Sequence, residues 1–139
     1  MAKLRILCLC AGGVVRSVTM AALLKVYWKL DALSAGFMNT DGTVEYLLKW
    51  ADHVYVMQPY MYEQVPEKYR YKTRVMDVGE DVWGMSQHPD LIRKLYPMLE
   101  KEFGPDRRVE SMETREGKRK LALIAKREKL HMKRVARLF

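Results

Sequence analysis

The chain has 139 residues, enough for one compact domain and few for two. Hydrophobic residues make up 49% and charged residues 30%, which argues against disorder, and no apolar run approaches the roughly 20 residues that span a bilayer. The net charge of +8 is concentrated late: residues 1–104 carry 13 Lys and Arg against 12 Asp and Glu, and residues 105–139 carry 12 against 5.

Lys3 to Leu9 is a short Leu, Ile and Cys run without alternation, as expected of a strand buried on both faces. Its basic start leads straight into glycines and an arginine, a poor signal peptide, so a cytoplasmic location is the default. Ala11-Gly12-Gly13 breaks the strand. From Ser17, the positions Met20, Leu23/Leu24, Tyr27 and Leu30 follow helical spacing. Ala32 to Phe37 predicts a weak second strand. Thr43 to Trp50 predicts a helix capped near Asp41 or Thr43, and Ala51 to Met57 a third strand. Gln58-Pro59 opens a short helix through about Val65, Thr73 to Val78 reads as a fourth strand, and Gly79 to His88 as a loop. Pro89 begins a helix with apolar Leu91/Ile92, Leu95, Met98/Leu99 and Phe103, and Pro97 is awkward in its interior.

Alternating strands and helices with short turns predict a three-layer α/β/α doubly wound sandwich on a four-stranded parallel sheet. Ligands in such sheets bind beyond the carboxyl ends of the strands, which places the site at residues 10–17. Gly104-Pro105, where the composition shifts, divides an α/β domain over 1–104 from a basic, helical extension over 105–139. An imperfect apolar stripe in that extension runs through Leu121, Ile124, His131/Met132, Val135 and Leu138/Phe139. It is expected to pack on the domain and leave a solvated basic face. Pairing with a second subunit, or with an acidic partner such as nucleic acid or an anionic membrane surface, are the other readings.

Cys8 and Cys10 are the only cysteines, and a disulfide between residues two apart on a strand is awkward. Two thiols and three histidines (His53, His88, His131) without ligand spacing do not compose a zinc site, and no metal or cofactor is expected.

The turn reads Cys10-Ala11-Gly12-Gly13-Val14-Val15-Arg16-Ser17. Glycines there let the backbone curl so that successive N–H groups, from Ala11 through Arg16, converge on a phosphate-sized anion. Arg16 brings a planar, bidentate guanidinium to the same anion. These donors favour the thiolate of Cys10 and make it a nucleophile, and Ser17 can donate its hydroxyl to that sulfur. Cys8, one pleat earlier, reads as a small buried hydrophobe. Neither Gly-x-Gly-x-x-Gly nor a Walker motif is present.

This segment, ILCLCAGGVVRSVTMAALL, resembles the Cys-x5-Arg-Ser signature of the low-molecular-weight protein tyrosine phosphatases. Ser34-Ala35-Gly36, LLKWADHVYVM (Leu47 to Met57) and DVGEDVWG (Asp77 to Gly84) are similar to later motifs of that family in the same order, over about residues 3–103. The resemblance implies hydrolysis of a phosphorylated protein or a small phosphate ester through a cysteinyl-phosphate, with a general acid in the 77–84 loop. Ungapped overlay puts Glu80 at the acid position and the shorter relatives put Asp81 there; the shorter side chain favours Asp81. The family's loop Asn is Gly13 here, its second loop Cys is Val15, its Pro after Ser is Val18, and its Tyr-Tyr is Val82-Trp83. Trp83 and Tyr60 are left as aromatic walls for the substrate. A phosphate- or phosphopeptide-binding module without turnover, and a nucleic-acid-associated protein acting through its tail, are the alternatives.

Overall fold

An unbroken apolar run places the first strand in the middle of the sheet. In the computed structural model, which describes residues 3–38, 42–107 and 115–136, β1 (Arg5–Cys10) is buried from Ile6 to its end. It lies between β2 (Asp31–Gly36) and β3 (His53–Val56), with β4 (Thr73–Val75) outside β3. The four strands are parallel in the order β2-β1-β3-β4. Direction reverses after β2, so right-handed crossovers put the first two helices on opposite faces and leave a crevice between the ends of β1 and β3.

α1 (Arg16–Tyr27) follows β1 and packs on β1, β2 and α3 (Pro89–Phe103), while α2 (Thr43–Trp50) lies against β1. The expected three-layer architecture is the one observed. α3 buries Leu91, Leu95 and Leu99, one per turn, and burying each such side chain stabilises the fold by roughly 1.5–3 kcal/mol. Pro97 is exposed, and the helix continues past it with one backbone hydrogen bond fewer, since proline has no N–H to donate.

Some expected boundaries move. β1 includes Cys10, and α1 starts at Arg16, one residue earlier than expected. β4 ends at Val75 and not Val78, although Met76 and Val78 still donate backbone hydrogen bonds to Val56 and Met57 (2.7 and 3.1 Å). The chain there stays extended beside β3 without a paired ladder. The segment after Gln58 is a 3₁₀ helix, Pro59–Gln64, and a second one, Glu67–Lys72, was not foreseen. Gly42, with φ +72°, caps α2 without a side-chain bond; Asp41 lies outside the described residues. Asp52 joins the start of β3 to β1 by accepting from the Arg5 backbone N–H at 2.9 Å, as suits a structural carboxylate.

Within the extension, α4 spans Arg115–Ala136 and touches α3. Ile124, Glu128 and Met132, four residues apart, are half-buried; His131 is exposed, as are Arg119, Lys126, Arg127, Lys129, Lys133 and Arg134. A solvated basic face over a narrow inward stripe results. The remaining stripe side chains, Leu121, Val135, Leu138 and Phe139, lie outside what is described. No described helix is long and apolar enough to cross a membrane.

Candidate functional site

The carboxyl end of β1 delivers the Cys10 side chain, 2% exposed, into the turn that precedes α1. Gly13 adopts φ +69°, a left-handed conformation open to glycine at no steric cost, and its N–H then donates to Cys10 Sγ at 3.1 Å. Ser17, fully buried in the first turn of α1, places Oγ 3.1 Å from the same sulfur. Its other contact, the Ala35 carbonyl, is 3.5 Å away, so the sulfur is the nearer partner for its single proton. Two donors can thus stabilise negative charge on Sγ. Among the described residues, the N–H groups of Gly12, Val14 and Val15 meet no backbone acceptor, so these donors of the turn stay available to a ligand.

The end of β2 supports this turn from below. A Cβ on Gly36 would stand 2.4 Å from the Gly12 carbonyl carbon and 2.5 Å from the Gly13 nitrogen. A Cβ on Gly13 would meet the Gly36 nitrogen at 2.5 Å. Backbone packs directly on backbone here, and Phe37 N–H to Cys10 O (3.0 Å) and Met38 N–H to Ala11 O (3.1 Å) fasten the two segments.

Arg16 is 3% exposed. Its Nη1 donates to Gln58 Oε1 at 2.5 Å and to the Gly79 carbonyl at 2.9 Å, while its Nε is buried without a partner. Among the described residues no carboxylate forms an ion pair with it. A buried cation without a counter-ion is costly to fold around, and a bound anion would relieve that cost.

The 77–88 segment is pinned at both ends to α1: Gly79 to Arg16, and Gln87, whose N–H donates to Thr19 Oγ1 at 2.8 Å. An Asx-type bond from Gly79 N–H to Asp77 Oδ1 (3.0 Å) shapes the first turn. Glu80 and Asp81 are both exposed between these pins, as is Val82. Trp83 is half-buried over Lys94, 5.9 Å from its ring, and beside His88; its indole Nε1 is buried and unpartnered. Tyr60 is 53% exposed and follows β3. Cys8 is buried on β1, and burial followed by the neighbouring Cys10 pushes its thiol well above the ordinary range, so it stays a neutral, inert hydrophobe.

Cys10, Gly13 and Ser17 are therefore joined through the sulfur, while the Arg16 guanidinium is held by Gln58 and Gly79. Gln58, the Gly79 carbonyl and Gly36 were missed. Gln58 had a signal: it lies two residues past β3, beside the crevice between β1 and β3. Such an arrangement can bind a tetrahedral oxyanion and present sulfur to its central atom.

Comparison with known proteins bears on the fold. No family model and no curated protein matches the sequence. Among solved structures, the YwlE arginine phosphatase from Geobacillus stearothermophilus is similar, with a TM-score of 0.50 and 22% identity, over 71% of this chain and 94% of that one. At that identity the likeness shows the fold alone.

Proposed function

We propose that the chain hydrolyses phosphate monoesters, with protein phosphotyrosine as the substrate class, through a cysteinyl-phosphate on Cys10. The observation that carries this reading is a sulfur held at 3.1 Å from both a loop N–H and a serine hydroxyl, with a buried guanidinium six residues further along the chain that has no ion-pair partner among the described residues.

Arg16 and the free N–H groups of the 11–16 loop bind the non-bridging phosphoryl oxygens and stabilise the charge that spreads over them in transfer. Cys10 Sγ attacks phosphorus; the S–P bond forms as the ester P–O bond breaks. A carboxylic acid of the 77–84 loop, Asp81 or Glu80, protonates the leaving oxygen. Water then attacks phosphorus, the same carboxylate takes its proton, and the S–P bond breaks to release phosphate and the thiolate, which Ser17 stabilises by donating its hydroxyl. Tyr60 and Trp83 flank the bound ester as aromatic walls. The nucleophile must be a free thiol, which suits the reducing cytoplasm.

Hydrolysis of an aryl phosphate by the purified chain tests this. Wild-type turnover that Cys10→Ser abolishes is the expected result. Turnover that survives Cys10→Ser contradicts it, and phosphate binding without any wild-type turnover leaves a binding module in its place.

A further inference from the structure

Arg16 is gripped from the ends of two other strands, and neither grip is charged. Nη1 gives one hydrogen to Gln58 Oε1, past β3, and one to the Gly79 carbonyl, past β4. A carboxylate is the commonest partner for a buried arginine, because charge-assisted, bidentate pairing offsets the loss of hydration. Glutamate has the shape of glutamine and would reach Nη1 equally well. It would also cancel the positive charge that an incoming oxyanion needs. Gln58 supplies the same acceptor geometry with no charge. Saturating Nη1 leaves the opposite edge of the guanidinium, which includes the buried and unpartnered Nε, as the donor edge for a ligand.

We propose that Gln58 is the positioning residue of this site: it orients the Arg16 guanidinium by a neutral hydrogen bond and so keeps the full cationic charge available to a tetrahedral oxyanion. The proposal rests on the oxyanion-binding part of the function proposed above and not on turnover. Gly79 accepts from the same Nη1, so Arg16 also ties the start of α1 to the loop of Glu80 and Asp81.

The experiment compares the wild-type chain with Gln58→Glu and Gln58→Leu, reading the affinity for inorganic phosphate by calorimetry across pH, with melting temperature as the control for folding. Near neutral pH, Gln58→Glu weakens phosphate binding by about tenfold or more, and Gln58→Leu by several-fold. The ratio of Gln58→Glu to wild type shrinks toward acid pH, as the new carboxylate is protonated and becomes a neutral partner again; the ratio for Gln58→Leu stays flat. A residue that only packs shifts melting temperature and moves neither ratio. Affinities for both variants within about twofold of wild type, or a ratio for Gln58→Glu that does not depend on pH, overturn the proposal. A wild-type chain that binds no phosphate overturns it together with the function above. Binding without turnover contradicts the hydrolase alone, and the two ratios then still decide the role of Gln58.

Discussion

A single methyl group at position 36 would collide with backbone and not with a side chain that could swing away. Gly36→Ala brings Cβ to 2.4 Å from Gly12 C and 2.8 Å from Ala11 O, so the turn must move. Overpacking of this kind costs about 1–3 kcal/mol, and here the strain falls on the backbone of residues 11–13, including the Gly13 N–H that donates to Cys10 Sγ. Gly36→Ala is expected to lower stability by that amount in urea melts and to weaken phosphate affinity in parallel. Loss of stability with phosphate affinity unchanged would mean that the turn does not carry the site. The two glycines differ in how far the sequence disclosed them. Gly13 lies in the motif itself, where left-handed backbone was expected. Gly36 matched only a Ser-Ala-Gly pattern, because its reason is a contact with a loop more than twenty residues earlier. The partners of Arg16 were hidden for the same reason: Gln58 and Gly79 lie 42 and 63 residues along the chain.

At the scale of elements, periodicity gave good boundaries wherever burial is one-sided. α3 matches the expected Pro89–Phe103 and α2 the expected Thr43–Trp50, since each presents a defined apolar face. β4 was overextended because Met76 and Val78 are buried and alternate with the exposed Asp77, although pairing has ended. The 3₁₀ helix Glu67–Lys72 has too few turns to show a period. The tie between β1 and β3 makes a prediction of its own. The Arg5 backbone N–H, and then the Arg5 guanidinium, hold the Asp52 carboxyl below the usual carboxylate range. With the folded value below the unfolded one, the stabilisation is present above the unfolded value of about 3.9 and is lost as pH falls through the folded value. Asp52→Asn, which keeps an acceptor and removes the charge, is expected to cost about 1 kcal/mol or less near neutral pH, because both partners are partly exposed and screened. The gap between wild type and variant in denaturant melts should close in strong acid. A gap that persists there would assign the effect to shape and not to charge.

At the scale of the whole molecule, the candidate site belongs to no single element. β1 brings the sulfur, β2 the glycine floor, β3 ends beside Gln58, and the chain after β4 brings Gly79, with the exposed Glu80 and Asp81 following it. Parallel strands and the reversal of direction after β2 make these ends converge, so the fold class was legible once the alternation of strands and helices was read, and with it where a candidate site should lie. The tail was legible in charge and helicity, and α4 puts its basic side chains outward as a helix with one narrow apolar stripe does. The central claim concerns the sulfur at the point of convergence. Mass spectrometry of the chain acid-quenched during turnover of an aryl phosphate tests it most directly: the account predicts a phosphoryl group on Cys10, and turnover with the phosphoryl group on another residue, or with none on Cys10, would contradict it.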